Sequence, residues 1–245
     1  MFGRNHAVNR PRVDEEQCLP TLPRTGGVTH RDGFMCCPLA GVYSFKAQMS
    51  YRTILLFGPP GSGKGTQGKI LGAMPHYFHF ACGDVFRSLD PKSEMGMEFA
   101  KHANTGSLVP DELTVKLWRS SIERMVASGR YKPADQYLLL DGIPRTVGQA
   151  RLMADDLDVR AVVNLYCNDI AQIVARLSKR AALENRADDA DIEVIRHRID
   201  VYEEQTEPLL HFYSLGKVYR VNATRPLEEV TADILKVIET VERDW

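Results

Sequence analysis

The chain has 245 residues, 44% of them hydrophobic and 26% charged, with a formal net charge of −1. That is the balance of an ordinary globular protein, and it excludes a global attraction to nucleic acid or membrane surfaces, so any anion site must be built from local clusters of Arg and Lys. No apolar run approaches the roughly 18–20 residues a membrane span needs, and Cys18, Cys36, Cys37, Cys82 and Cys167 offer no pair of C-x-x-C motifs for zinc and fit a reducing, cytoplasmic setting.

Residues 1–48 scatter Gly, Pro, Arg and Cys without a period of 2 or 3.6, and turn formers interrupt every apolar cluster. A secretory signal is disfavoured because no charged start leads into a clean apolar core, and Asp14-Glu15-Glu16 argues against a mitochondrial presequence. The segment reads as a disordered extension, or as sequence upstream of a start at Met49, with a functional tail as the alternative. From residue 52 onward, strand candidates at 53–57, 78–82, 137–141, 161–166 and 217–221 alternate with helical patterns, without internal repeats. This alternation predicts an α/β fold with a parallel sheet covered on both faces. Ligands in such sheets gather at the carboxyl ends of the strands.

The first strand candidate runs directly into Gly58-Pro59-Pro60-Gly61-Ser62-Gly63-Lys64-Gly65-Thr66. Glycines let main-chain N–H groups approach phosphate oxygens closely, and one lysine adds charge at the β/γ end. Thr66 to Met74 reads as the helix whose N-terminal dipole faces the anion. Gly65 stands where the general template has Ser or Thr; an incidental glycine turn is the competing reading.

The second strand ends in Ala81-Cys82-Gly83-Asp84, followed by Arg87, and the third in Asp141, followed by Gly142-Ile143-Pro144-Arg145-Thr146 and Gln149. Either Asp alone reads as a helix N-cap. Together, beside a phosphate loop, Asp84 and Asp141 suit Mg²⁺ held through waters. Arg87 and Arg145 offer planar forks for a second phosphorylated ligand. Further on come Arg176, Lys179-Arg180, Arg186 and Arg196-His197-Arg198. Arg176 and Arg180 share a helix face, Ala181 to Asp191 reads as a loop, and Arg198 starts another helix with Tyr202 one turn on. In isolation the run is a solvated face; beside a phosphate loop it reads as a flap that brings positive charge over a transferring group and excludes water. If the acceptor is itself a phosphate, with a second pKa of about 6, no general base is required.

Together these segments resemble the adenylate kinases of the nucleoside monophosphate kinase family, from about residue 52 to 240. Gly58 to Gln67 matches G-x-P-G-x-G-K-G-T-Q, and Asp141 to Thr146 matches D-G-F-P-R-T with Ile143 for Phe. Asn185-Arg186-Ala187-Asp188-Asp189 resembles G-R-x-D-D with Asn185 for Gly, and Tyr202 to Leu209 matches the segment after the lid. The resemblance implies a P-loop NTPase-type five-stranded parallel sheet in residues 49–245, with an NMP-binding segment at about 83–130 and a short lid at about 179–191. It implies Mg²⁺-dependent, reversible phosphoryl transfer from ATP to AMP giving two ADP, in a cytoplasmic monomer that binds neither nucleic acid nor membrane. By the same resemblance Gly61, Ser62, Gly63, Lys64, Gly65 and Thr66 hold the ATP phosphates, with Arg176, Arg180 and Arg225 on the ATP side. Cys82, Arg87, Ser107, Leu108, Val109, Gly142, Arg145 and Gln149 form the AMP side, and Arg186 and Arg198 close across the transferring group. Lys64, Arg145, Arg180, Arg186 and Arg198 are the implied catalytic cations. Five residues separate Arg180 from Arg186, too few for a four-cysteine zinc lid. Cys82 replaces the Thr usual in adenylate-specific members, and a thiol is a weaker hydrogen-bond donor. A UMP/CMP kinase is therefore the alternative, although such enzymes carry P-R-N rather than Pro144-Arg145-Thr146. A nucleotide-binding relative without activity and a guanine-nucleotide switch are further alternatives, but the chain has no Asn-Lys pair for a guanine reader.

Overall fold

Ile54-Leu55-Leu56-Phe57 is apolar at consecutive rather than alternate positions, the pattern of a strand covered on both faces. The computed structural model describes residues 50–184, 186 and 189–242 and puts this stretch at the centre of a five-stranded sheet. Its strands are β1 (Tyr51–Phe57), β2 (Tyr77–Ala81), β3 (Tyr137–Asp141), β4 (Leu157–Tyr166) and β5 (Val218–Asn222). They lie in the order β2-β3-β1-β4-β5, and all neighbours are parallel. The helices are α1 (Lys64–Gly72), α2 (Cys82–Arg87), α3 (Glu94–Thr105), α4 (Asp111–Ala127), α5 (Val147–Leu152), α6 (Ile170–Glu184), α7 (Ile192–Val201), α8 (Leu209–Phe212) and α9 (Leu227–Glu242).

The pleat divides β1 between two cores. Ile54 and Leu56 pack with Leu71 of α1 and with Val230, Ile234, Ile238 and Val241 of α9, a stripe at helical spacing. Leu55 and Phe57 point the other way, into a cluster with Trp118 and Ile122 of α4 and Leu209 of α8. Each such aliphatic, fully removed from water, contributes about 1.5–3 kcal/mol. A third, smaller cluster of Ile173, Leu177, Ile195 and Ile199 joins α6 to α7, which fixes the arginines on those helices relative to one another.

The five strands and their type match the sequence-based expectation, and the ends differ. β2 and β5 are each offset by one residue from the expected 78–82 and 217–221. β4 begins at Leu157 rather than 161 because β1 pairs back to Leu157 through a register shift beside Thr53, drawing polar Asp158 and Arg160 into the strand. α1 opens at Lys64, two residues before the expected Thr66, and closes at Gly72 rather than Met74. α6 continues through Ala181-Ala182-Leu183-Glu184, strong helix formers, where the sequence-based expectation is a loop. α7 starts at Ile192, where Asp191 caps it by accepting from the Glu193 N–H, so Arg198 sits in its last turn, not at its start. The expectations for residues 1–48, and those for Asn185, Ala187 and Asp188, lie outside the described residues. Among the described residues no helix is long and apolar enough to cross a membrane.

Candidate active site

Strand register brings the chemistry together. Asp141, the last residue of β3, pairs with Leu56 of β1 and with Ala81 of β2, so the phosphate loop, the Cys82-Gly83-Asp84 turn and the Asp141–Arg145 strap leave the sheet side by side. The loop starts at Gly58, whose φ of 143° is open only to glycine; a Cβ there would lie 2.4 Å from the Leu165 carbonyl oxygen. No side chain caps α1, and Gly61, Gly63, Lys64, Gly65 and Thr66 border the central cavity, where the positive end of the helix dipole suits an anion. Lys64 Nζ donates to the carbonyls of Gly58 at 2.7 Å and Pro59 at 3.0 Å. Burial pulls its pKa down to about 8 against the opposing pull of Asp141.

Asp141 and Asp84 border the same cavity. Asp84 accepts from Arg87, so the expected metal ligand and the expected phosphate fork are here paired with each other. Asp141 Oδ2 lies 3.9 Å from His79 Nε2, and a Cβ on Gly65 would stand 3.4 Å from that same oxygen, an ordinary van der Waals contact. His79 Nε2 is buried without a hydrogen-bond partner, and burial lowers its imidazole pKa. Among the described residues no three His, Cys, Asp or Glu side chains converge into a direct metal cage. Two carboxylates at one cavity wall, beside a buried imidazole nitrogen with spare capacity, fit Mg²⁺ held through its own waters.

Arg145 follows a cis Ile143–Pro144 bond. Its Nε donates to the Gly142 carbonyl at 3.0 Å, its N–H to Gln149 Oε1 at 2.7 Å, and its carbonyl accepts from Thr206 Oγ1 at 2.9 Å. The arm is thus anchored at its root on three sides. Asp189 is fully buried and gathers three arginines. Arg180 reaches it through Nε at 2.6 Å and Nη2 at 3.0 Å, Arg186 through Nε at 3.3 Å, and Arg198 through Nη1. Asp189 has no role in the sequence-based expectation, because acids and bases nearly balance along this stretch and nothing marks which acid the arginines share. Asp111 carries no signal in the sequence beyond its place after Val109-Pro110.

The central cavity, about 190 Å³, is lined by Lys64, Asp84, Arg87, Asp141, Gly142, Arg145, Arg180, Arg186 and Arg198. On one side it meets a cavity of about 100 Å³ bordered by Cys82, Ser107, Leu108, Val109 and Gln149, beside the stacked rings of Phe86 and Phe99. On the other it meets one of about 360 Å³ bordered by Ser62, Thr66, Arg176, Arg180, Ala223 and Arg225. Arg225 also pairs with Asp233 and, at 3.7 Å, with Glu229. Cys82 is 3% exposed, and burial pushes its thiol up to about 12. Every residue expected at the site therefore borders one of three adjoining spaces.

The adenylate kinase family model matches residues 56–218. The chain is 36% identical over 193 residues to an adenylate kinase of Thermobifida fusca (strain YX), covering 76% of this chain and 98% of the relative. It is 38% identical over 196 residues to an adenylate kinase of Micrococcus luteus, covering 77% and 91%. To an adenylate kinase of Synechococcus sp. (strain JA-2-3B'a(2-13)) it is 34% identical over 197 residues, covering 78% and 97%. A phosphate loop on a parallel sheet, two flanking cavities and matches spanning most of the chain lead to one conclusion: the chain belongs to the adenylate kinase family.

Proposed function

We propose that the protein transfers the terminal phosphoryl group of Mg·ATP reversibly and directly to AMP, giving two ADP without a covalent intermediate. The observation that carries this reading is the pair of unlike cavities opening onto one cation-lined chamber, the arrangement that two nucleotides meeting tail to tail require. ATP occupies the side of Arg176, Arg225 and the phosphate loop, with Gly61 to Thr66 around its phosphates. AMP occupies the side of Cys82, Ser107, Leu108, Val109 and Gln149, its phosphate between Arg87 and Arg145. Residues 83–130 serve as the acceptor-binding segment and 179–191 as the lid.

The acceptor phosphate oxygen is largely ionised at neutral pH, so the site needs alignment and charge neutralisation rather than a base. Lys64 leaves the Gly58 and Pro59 carbonyls for the stronger phosphate acceptors and follows the moving group. Arg145, Arg180, Arg186 and Arg198 neutralise charge on its equatorial oxygens, and closure of the 179–191 segment over the chamber excludes water. Asp84 and Asp141 would hold the Mg²⁺ of Mg·ATP through its waters, and the ion would add to the neutralisation of phosphate charge. A monomeric, cytoplasmic protein is proposed on the resemblance.

The test is ADP formation from ATP with AMP, CMP, UMP or GMP. A rate with AMP far above the others is expected; equal rates remove the acceptor assignment and spare the kinase. The thiol of Cys82 favours a pyrimidine acceptor as the second reading, and the same panel distinguishes it.

A further inference from the structure

Gln149 is 1% exposed, borders the smaller flanking cavity, and both ends of its amide are held. Oε1 accepts the Arg145 N–H at 2.7 Å, and Nε2 donates to Asp111 Oδ1 at 2.9 Å. The other Asp111 oxygen accepts from Thr146 Oγ1 at 2.7 Å, and Thr146 in turn accepts the Gln149 N–H at 3.0 Å while capping α5. Asp111, Thr146 and Gln149 therefore close a ring. The carboxylate comes this close because residue 148 is glycine; a Cβ there would stand 2.3 Å from Asp111 Oδ2.

The chemistry of the partners dictates the amide's orientation. A carboxylate only accepts and a backbone N–H only donates, so a flipped Gln149 would set oxygen against oxygen and nitrogen against N–H. Two capacities remain after these bonds, one lone pair on Oε1 and one proton on Nε2. A 6-aminopurine offers the complement, an amino donor beside a ring-nitrogen acceptor. A 6-oxopurine offers the reverse, an oxygen acceptor beside an N–H donor, which a flipped amide would satisfy.

We propose that Asp111 is a positioning residue that locks the Gln149 amide in one orientation and so sets the preference for a 6-amino over a 6-oxo purine monophosphate. The inference rests on the acceptor-base reading above, and assigns the discrimination to a residue outside the cavity wall. An unpaired, rotatable amide would satisfy either base, whereas a locked one leaves buried polar groups unmatched with the wrong base, the arrangement that discriminates most strongly.

The test compares kcat/KM for AMP and IMP in the wild type, Asp111→Ala, Asp111→Asn, Gln149→Leu and Asp111→Ala/Gln149→Leu, with KM for ATP measured alongside. Asp111→Ala should lower the AMP-to-IMP ratio about tenfold, the scale of one hydrogen-bonded discrimination, and leave KM for ATP within about twofold. Asp111→Asn keeps an acceptor in one of its two orientations and should fall between. On the Gln149→Leu background, Asp111→Ala should change the ratio no further, which a merely structural role for Asp111 would not produce. A wild-type ratio in both Asp111 variants, or an undiminished effect without Gln149, overturns the inference alone. A wild type that treats AMP and IMP alike overturns the acceptor-base reading and this inference with it.

Discussion

Replacing Asp189 by Asn removes one negative charge from the point where Arg180, Arg186 and Arg198 meet. Shape is nearly conserved, so the effect reports charge. The carboxylate is fully buried, and the three arginine side chains are 31%, 11% and 15% exposed. Breaking a buried ion pair from one side costs about 3–5 kcal/mol; partial exposure of the guanidinium groups puts this case near the lower end, about 3 kcal/mol. For a domain of this size each kcal/mol moves Tm by about 2–4 °C, so the variant should melt about 6–12 °C below wild type. The assay is thermal unfolding with and without saturating AMP plus a non-hydrolysable β,γ-methylene ATP analogue. Phosphate oxygens can replace the missing carboxylate, so the ligand-induced rise in Tm should be larger in the variant than in the wild type. A melting point within 2 °C of wild type, with an equal ligand increment, would refute the idea that Asp189 neutralises Arg180, Arg186 and Arg198.

Lys64→Met and Arg145→Ala should each lower kcat/KM by at least the order of 10², the scale of losing one preorganised charge partner; near-wild-type turnover would remove the roles given to them. With Lys64 near 8, kcat/KM for ATP, which reports the free enzyme, should decline as pH rises above about 8, and kcat at saturating ATP should hold to higher pH because bound phosphate raises that pKa. The sign for stability is opposite to the usual ion pair. A folded pKa below the unfolded value of about 10.4 means the charged lysine disfavours folding below pH 8, and the disadvantage fades as pH climbs from 8 towards 10.4. A kcat/KM profile flat from pH 7 to 9.5 would contradict the assignment. Brief alkylation at pH 8 followed by peptide mapping should label half-buried Cys167 and spare Cys82, whose buried thiol stays protonated; rapid labelling of Cys82 in the native protein would show that it opens to solvent. Cys82→Thr should raise kcat/KM for AMP severalfold, and an unchanged value would make the thiol irrelevant to acceptor choice.

The phosphate loop was legible because its chemistry is local: a strand, φ-permissive residues and a lysine within one short run. The five strands were legible because burial on both faces writes itself as consecutive apolar residues. Strand ends and the α6 terminus were less so, since Leu157 joins β4 through pairing with Tyr51, far away in sequence, and the helix-forming run 181–184 lies within a polar stretch. The three-arginine junction at Asp189 and the ring through Asp111 depend on side chains from separate elements, and a lone acid in a polar segment carries no mark of its future partners.

By itself, then, the sequence determined the α/β class, the parallel sheet, the phosphate-binding turn and the cationic character of the site, each a consequence of short-range pattern. Tertiary structure alone decided that Asp189 gathers Arg180 and Arg198 and that Asp111 bonds Gln149. Those are choices among many possible partners for groups whose hydrogen-bonding and charge are indifferent to sequence distance. They are resolved only when packing of the two sheet faces brings particular side chains within about 3 Å of one another.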